Sequence, residues 1–244
     1  MSTGIDSETR AAAEEDARSS ATATATVGVL ALQGDFAAHL RVLTRLVAHS
    51  RPVRRPDQLA GLDALILPGG ESSTLLTLME STGFETALAD FHAGGGALLG
   101  TCAGAILLAR EVVSPDQRSL GLIDITVGRN AYGRQLDSFE ADAEWVADDL
   151  SGPPGQTPRP LPLVFIRAPK IMRLGPDVIP LARCRGDIVL ARQGRVLAAT
   201  FHPEISGDTR VHRYLLEMVA AWARAGAPCG RKRGGPQAAS VVRT

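Results

Sequence analysis

The chain has 244 residues, and its 26 basic and 26 acidic side chains give no net charge when the histidines are neutral. This balance gives no electrostatic reason to expect nucleic acid or an anionic membrane as a partner, and aromatic residues, at 4%, are too sparse for a surface that stacks nucleobases. Because the sequence shows neither an apolar run of ~20 residues nor a secretory signal, and its three cysteines are scattered, it predicts a cytoplasmic protein.

The composition divides the chain into a central region and two ends. Residues 1–26 hold almost no large apolar side chains and end in an Ala/Thr repeat, so they are predicted to be a disordered extension. Residues 226–244 are rich in glycine, proline and basic side chains and are predicted to be a flexible tail, for which contact with nucleic acid is the rarer alternative. Residues 27–225 are predicted to form one domain.

The first half of this domain alternates short apolar runs with segments of helical spacing. The runs are typical of strands buried on both faces, and the alternation indicates a mainly parallel sheet with helices on both sides. The predicted strands are Val27–Leu32, Ala64–Leu67 and Ala97–Leu99, and the predicted helices are Ala37–Ala48, Ser73–Met79 and Ala103–Ala109. Ser72 or Ser73 is the expected N-cap of the second helix.

The second half predicts shorter strands and one closing helix. The strands are expected at Ile123–Val127, Ser138–Ala143, Leu163–Ile166, Ile188–Arg192 and Val196–Thr200. A hairpin turn is expected at Arg192–Arg195, an amphipathic helix at Val211–Arg224 and a proline-rich loop at Ser151–Pro162. The fold class is therefore α/β, with an open, mainly parallel sheet flanked by helices in three layers, as in flavodoxin.

The segment Gly100-Thr101-Cys102-Ala103-Gly104 joins a predicted strand directly to a predicted helix. Glycines two residues before and after a nucleophile allow the tight turn of a nucleophile elbow. At this place the positive end of the helix favours the thiolate form of Cys102. The N–H of Ala103 points to the same spot, where it can stabilise an oxyanion. The alternative is a buried cysteine in a glycine-rich turn.

A thiol nucleophile needs a base and a group that orients the base, and His202-Pro203-Glu204 offers both. Residues two apart in an extended chain point to the same side, so Glu204 can hold the imidazole while His202 faces Cys102. An H-x-E motif alone is a weak signal. The other histidines, for which exposure or core packing in helical or helix-end patterns is the default interpretation, are His39, His49, His92 and His212.

The segment LPGGESST, residues 67–74, follows a predicted strand at the edge where open α/β sheets bind their ligands. Gly69 and Gly70 permit backbone conformations in which their N–H groups line an oxyanion hole, and Glu71 and Ser72 then face a polar ligand. The alternative is a simple helix-capping turn. The segment lacks the lysine and the spacing of a phosphate-binding loop, which excludes ATP on this motif.

Together these motifs resemble the class I (triad) glutamine amidotransferases, and most closely the family of glutaminase subunits of pyridoxal 5′-phosphate synthase. The motifs GTCAG and HPE resemble those found throughout the superfamily. The blocks that resemble the narrower family are VGVLALQGDFAAH, LILPGGESST, GTCAGAILLA, LGLIDITVGRNAYGRQLDSFEA, VFIRAP and TFHPEIS, which span about residues 27–220. The N-terminal extension and the Ser151–Pro162 loop go beyond the family's compact core.

The resemblance implies that Cys102 attacks the side-chain amide of L-glutamine, His202 transfers the proton and Glu204 orients His202. It implies an oxyanion hole near Gly69 and Gly70, to which the elbow geometry adds the N–H of Ala103. It implies glutamine contacts at Gly70, Glu71, Ser72, Arg129, Ile166 and Arg167. A planar guanidinium pairs with a carboxylate in bidentate fashion, so an arginine is also expected on chemical grounds to bind the carboxylate of the substrate.

The resemblance also implies a partner and no metal or cofactor. Ammonia passes to a barrel-type synthase subunit in a hetero-oligomer, and docking switches the glutaminase on. Three alternatives stay open at this point. They are a glutaminase subunit of another synthase, such as that of the histidine pathway, a cysteine-elbow protein of the stress-response or deglycase type, and a catalytically silent binding module.

Overall fold

The computed structural model describes residues 25–46, 48–129, 138–146 and 159–226. The predictions for residues 1–24, for residues 151–158 of the proline-rich loop and for the tail at 227–244 lie outside the described residues and stay predictions. The last two residues of the predicted loop, Leu161 and Pro162, lie in a strand instead. The first strand begins at Thr26, one residue before the predicted domain boundary.

The described residues form twelve strands, five α-helices and a short 3₁₀ turn at Pro56–Leu59. The strands are β1 (Thr26–Leu30), β2 (His49–Val53), β3 (Ala64–Leu67), β4 (Ala97–Thr101), β5 (Ala109–Val113), β6 (Ile123–Gly128), β7 (Ser138–Trp145), β8 (Leu161–Ile166), β9 (Lys170–Leu174), β10 (Ile179–Cys184), β11 (Asp187–Gln193) and β12 (Val196–Ala199). The helices are α1 (Phe36–Arg45), α2 (Ser72–Thr82), α3 (Phe84–Ala93), α4 (Ala103–Leu108) and α5 (Arg210–Arg224).

Nine strands form the main sheet, in the order β2-β1-β3-β4-β12-β11-β10-β7-β8. The first five strands of this order are parallel to one another, and every pair beyond β12 is antiparallel. The predicted α/β fold with an open sheet is therefore confirmed, with an antiparallel extension that the prediction did not describe. A second sheet of β5, β6 and β9 packs beside it.

Helices cover both faces of the parallel part of the sheet because its strands are apolar in both directions. In β3, Ile66 points to the face covered by α1 and α5, whereas Leu65 points to the face covered by α2, α3 and α4. All residues of β3, β4 and β12 are buried. This burial on two sides is the reason that these strands show continuous apolar runs rather than alternation.

The strongest sequence signals agree with the structure, and the weaker ones fail for local reasons. Strand β3 has the predicted bounds, and the other predicted strands and helices recur with ends shifted by a few residues. The sequence analysis missed β2, α3, β5, β9 and β10. Strand β2 was missed because its segment HSRPV has only one fully buried residue. His49 therefore lies in this strand and not in the helical pattern assigned to it.

The predicted N-cap of α2 is wrong. Glu71 takes that position, and its carboxylate accepts hydrogen bonds from the backbone N–H groups of Ser73 and Thr74, at 3.2 and 2.6 Å. Ser72 is the first helical residue. A glutamate satisfies the orphan N–H groups of a first turn as a serine does, and its charge also complements the helix dipole.

The turn from β4 to α4 is tight because only Cys102 separates them. Gly104, in the first turn of α4, passes directly over β3, and a Cβ built there would overlap the carbonyl oxygen of Leu67. The backbone of a central strand has no room to withdraw. Glycine is therefore required at this position for the helix to pack on the sheet.

We predict that Gly104→Ala lowers the free energy of unfolding by about 3 kcal/mol or more, because the added methyl group forces α4 away from β3. Gly61→Ala is the control, since Gly61 has φ +78° but nothing within 4 Å of a Cβ. It should cost only about 1–2 kcal/mol of backbone strain. Urea unfolding of both variants measures the difference, and equal losses would contradict this account of the elbow.

Candidate active site

Cys102 occupies the turn between β4 and α4 in a strained backbone conformation, with φ 47° and ψ −104°. Its N–H donates to the carbonyl of Ala199 in β12, at 2.8 Å, and its carbonyl accepts from Ile106 in α4, at 3.2 Å. These bonds tie the residue to both neighbouring elements. The structure thus has the nucleophile elbow that the glycine spacing predicts, with the cysteine 6% exposed.

His202 reaches the same place from the adjacent strand. Strand β12 lies parallel to β4, with Ala199 opposite Thr101, so the residues that follow both strands emerge at one edge of the sheet. The N–H of His202 donates to the carbonyl of Val164 in β8, at 2.9 Å, which fixes the backbone. The imidazole interacts with the Cys102 side chain. The pairing predicted from the two separate motifs is present.

Glu204 holds the imidazole from the other side. The Nδ1–H of His202 donates to Oε1 of Glu204 at 2.7 Å, and the glutamate side chain is fully buried. Burial lowers the pKa of His202, but the hydrogen bonds to Cys102 and Glu204 and the charges of both outweigh it and raise the pKa to about 10. The site thus favours a protonated imidazole beside the sulfur atom.

The turn at Gly69 and Gly70 lies directly over this pair. A Cβ built at Gly69 would overlap Cε1 of His202 and would lie 3.3 Å from Cβ of Cys102. Gly70 has φ +155°, and a Cβ there would overlap the side chain of Gln33, whose Oε1 accepts from the N–H of Glu71 at 3.1 Å. Only a glycine at position 69 lets the backbone come so close to the imidazole and to the Cys102 side chain.

Glu71 and Ser72 lie at this edge with their side chains already engaged. Besides capping α2, the Glu71 carboxylate accepts from the Thr74 hydroxyl, at 2.7 Å. The bonds from Thr74 and Ser73 outweigh desolvation and lower the pKa of Glu71 to about 2. The Ser72 hydroxyl is buried and donates to Oε1 of Gln117, at 2.9 Å. Ligand contacts at Glu71 and Ser72 stay predictions.

The remaining predicted residues surround the same edge. Nη2 of Arg129 donates to the Ser73 hydroxyl at 3.0 Å and lies 3.5 Å from Oε1 of Glu71. The carbonyl oxygen of Ile166 is 3.9 Å from Sγ of Cys102. Arg167 is exposed and has φ 44°. Every residue singled out from the sequence is therefore at or near the carboxyl edge of β3, β4 and β12.

Two buried histidines behind Glu204 were not singled out. His39 on α1 places Nε2 3.4 Å from Oε2 of Glu204 and 3.2 Å from the Thr101 hydroxyl. Its Nδ1 lies 2.9 Å from Nε2 of His212 on α5. Both rings are completely buried. Burial lowers the pKa of His39 well below its usual value and that of His212 to about 3, so both are neutral at pH 7.

Within the described residues, no group of three His, Cys, Asp or Glu side chains is arranged to hold a metal ion. No helix in those residues is long and apolar enough to cross a membrane.

Comparison with known proteins identifies the family to which the chain belongs. The model of the SNO glutamine amidotransferase family matches residues 29–221. The chain is similar to pyridoxal 5′-phosphate synthase subunit PdxT of Deinococcus radiodurans, with 54% identity over 80% of this chain and 97% of the relative. It is similar to the subunit of the same name from Thermus thermophilus, with 51% identity over 79% of this chain and 97% of the relative.

Solved structures agree with these relatives. A crystal structure of a glutamine amidotransferase superimposes with a TM-score of 0.71 and 48% identity, covering 79% of this chain and 98% of that chain. The PurLQS structure from Thermotoga maritima superimposes with a TM-score of 0.60 at 14% identity, covering 82% of this chain and 99% of that chain. The second likeness shows the fold alone.

We predict that Gly69→Ala slows alkylation of Cys102 by iodoacetamide at pH 7 about tenfold, because the added methyl group displaces the imidazole that favours the thiolate. Gly94→Ala is the matched control, since Gly94 ends α3 with φ −73°, outside the site. Mass spectrometry of the Cys102 peptide follows the rate. Equal rates in the two variants would show that Gly69 is not in contact with the pair.

We predict that the buried histidines make the protein less stable in acid. A histidine with a folded pKa of about 3 and an unfolded pKa of about 6.5 binds fewer protons when folded, so stability rises with pH across this window and is fully present above it. His212→Gln should reduce this slope by about 1.4 kcal/mol per pH unit. His49→Gln, at an exposed position, is the control, and urea unfolding between pH 4 and 7 measures both.

Proposed function

Because the chain belongs to the SNO glutamine amidotransferase family, we propose that it hydrolyses L-glutamine to L-glutamate and ammonia and supplies the ammonia to pyridoxal 5′-phosphate synthesis. It is thus the glutaminase subunit of a pyridoxal 5′-phosphate synthase. The observation that carries this proposal is the convergence of Cys102, His202 and Glu204 beneath the Gly69 turn.

The first half of the reaction forms a glutamyl thioester. The Cys102 sulfur attacks the side-chain carboxamide carbon, so that an S–C bond forms and the carbonyl oxygen becomes an oxyanion. The protonated imidazole of His202 gives its proton to the amide nitrogen, the C–N bond breaks and ammonia leaves. Because Glu204 binds Nδ1, it keeps Nε2 facing the sulfur and the leaving nitrogen.

Backbone N–H groups stabilise the oxyanion in this proposal. The N–H of Ala103 is one of the first-turn donors of α4, and the first donors of a helix have no intrahelical partner. Gly69 brings a second stretch of backbone, which continues into Gly70, within contact of the Cys102 side chain. Donors fixed in advance on both sides of the developing charge lower the barrier without reorganisation.

The second half releases glutamate. His202, now neutral, takes a proton from water, and the water oxygen attacks the thioester carbon. The S–C bond breaks, glutamate leaves and the imidazolium beside the sulfur is restored. Arg129 is proposed to bind the α-carboxylate, with Gly70, Glu71, Ser72, Ile166 and Arg167 lining the rest of the glutamine site.

The partner is a synthase subunit, and we propose the barrel-type subunit in a hetero-oligomer. Two large apolar side chains beside the triad are exposed, Ile166 at 38% and Ile205 at 46%. Exposed apolar residues at the rim of a site suit a surface that a protein covers. Coupling to that subunit has a chemical reason, because free ammonia would protonate or diffuse away. The cytoplasmic location stays a prediction.

The alternatives carry less support. Relatives at about half identity are named as subunits of pyridoxal 5′-phosphate synthase, which favours this synthase over another. The intact contact between His202 and Glu204 disfavours a silent binding module. A deglycase-type protein depends on an acidic residue beside the thiol, not on a late H-x-E pair.

We predict that Cys102→Ala reduces glutamate release by at least about a thousandfold in the presence of the synthase subunit, because it removes the sulfur atom that forms the thioester. Cys184→Ala is the matched control, since Cys184 is also a buried free cysteine but lies in β10. Circular dichroism verifies folding of both variants. Full activity in Cys102→Ala would make the assignment wrong. Assays with the histidine-pathway synthase subunit instead distinguish the two possible partners.

A further inference from the structure

The reaction described above uses one oxygen of Glu204 and leaves the other unexplained. Oε1 accepts from His202, whereas Oε2 is buried and has no aligned hydrogen bond within the described residues. A buried carboxylate oxygen without a donor is costly. Nε2 of His39 lies 3.4 Å from Oε2 of Glu204.

The protons of this cluster can be assigned from what each atom is able to donate. Glu204 as a carboxylate only accepts. If Nε2 of His39 were unprotonated, its lone pair would face the Oε2 anion at 3.4 Å and repel it. Nε2 therefore carries the proton, which it donates to the Thr101 hydroxyl at 3.2 Å, so that the positive N–H group lies beside Oε2.

The assignment continues to the second histidine. A neutral His39 with its proton on Nε2 has an accepting Nδ1, so Nε2 of His212 must donate to it across the 2.9 Å contact. Nδ1 of His212 is then unprotonated, and it is the ring nitrogen of His212 that has no partner within the described residues. The chain of contacts is thus consistent with a single set of tautomers.

We propose that His39 is a positioning residue for the glutaminase reaction. Its Nε2–H attracts the second oxygen of Glu204 electrostatically from 3.4 Å, which steadies the carboxylate and through it the His202 imidazole, while His212 fixes the tautomer of His39. The kinetic consequences of this inference rest on the proposed function, whereas the contacts between His39, Glu204 and His212 do not.

A neutral donor suits this position better than a charged one. His202 carries a proton at the start of each cycle, and a second cation behind Glu204 would compete with it for the same carboxylate. Burial, His212 and His202 all lower the pKa of His39. Burial, the largest cause, and the charge of Arg45 both lower the pKa of His212, and together they outweigh Asp208, which raises it. The pair therefore stays neutral through the cycle.

The test compares His39→Leu, His39→Gln and wild type, each with the synthase subunit. His39→Leu removes the donor and should reduce kcat for glutamate release about tenfold or more with KM little changed, since the reacting groups are displaced and the substrate contacts are kept. The pH midpoint for alkylation of Cys102 by iodoacetamide should rise by about one unit, because a loosened Glu204 supports the imidazolium less well. His39→Gln keeps an N–H donor and should restore much of both values.

The controls separate the possible failures. His49→Leu, an exposed histidine outside the site, should leave kcat and the alkylation midpoint unchanged. If His39→Leu does not fold, His212→Leu replaces it and should cause the same changes at smaller size. A folded His39→Leu with wild-type kcat and midpoint, or a loss of kcat without a shift in midpoint, overturns the proposal. Wild type that releases no glutamate would instead refute the proposed function, and the alkylation arm still tests His39.

Discussion

The parallel pairing of β4 with β12 is the constraint on which the site depends. These strands are about a hundred residues apart in the chain, and their register sets Ala199 opposite Thr101. Parallel neighbours end at the same edge of a sheet, so the residues that follow them, Cys102 and His202, emerge side by side. A shift of one residue in this register would turn the side chains of β12 to the opposite faces.

That pairing also lets the site hold groups that are unfavourable elsewhere. Cys102 has a positive φ, which costs on the order of 1–3 kcal/mol, and Glu204 is a carboxylate with no exposed side-chain surface. Both persist because the packing of the surrounding strands and helices holds them in place. Every residue of β4 and α4 is buried, so the elbow has no alternative conformation that keeps the core packed.

The parts that the sequence predicted are those whose signal is local. Apolar runs such as Ala64–Leu67 identify strands buried on both faces, the glycines around Cys102 identify the elbow, and the spacing of His202 and Glu204 places both on one side. The helix cap at Glu71 and the strand β2 were missed, because a capping glutamate and a partly exposed, proline-containing strand have weak local patterns. His39 was missed for a different reason, since its meaning depends on α1, α5 and β4 being packed together.

This last failure indicates how the site is connected to the rest of the fold. His39 belongs to α1 and His212 to α5, the two helices that cover one face of the sheet, and they meet directly behind Glu204. The orientation of the carboxylate is thus set by how these two helices pack, at positions that do not touch the ligand edge. The three residues of the elbow and H-x-E motifs are enough to name the chemistry. The geometry that lets them act is held by a helix near the start of the chain and another near its end, which no local motif can encode.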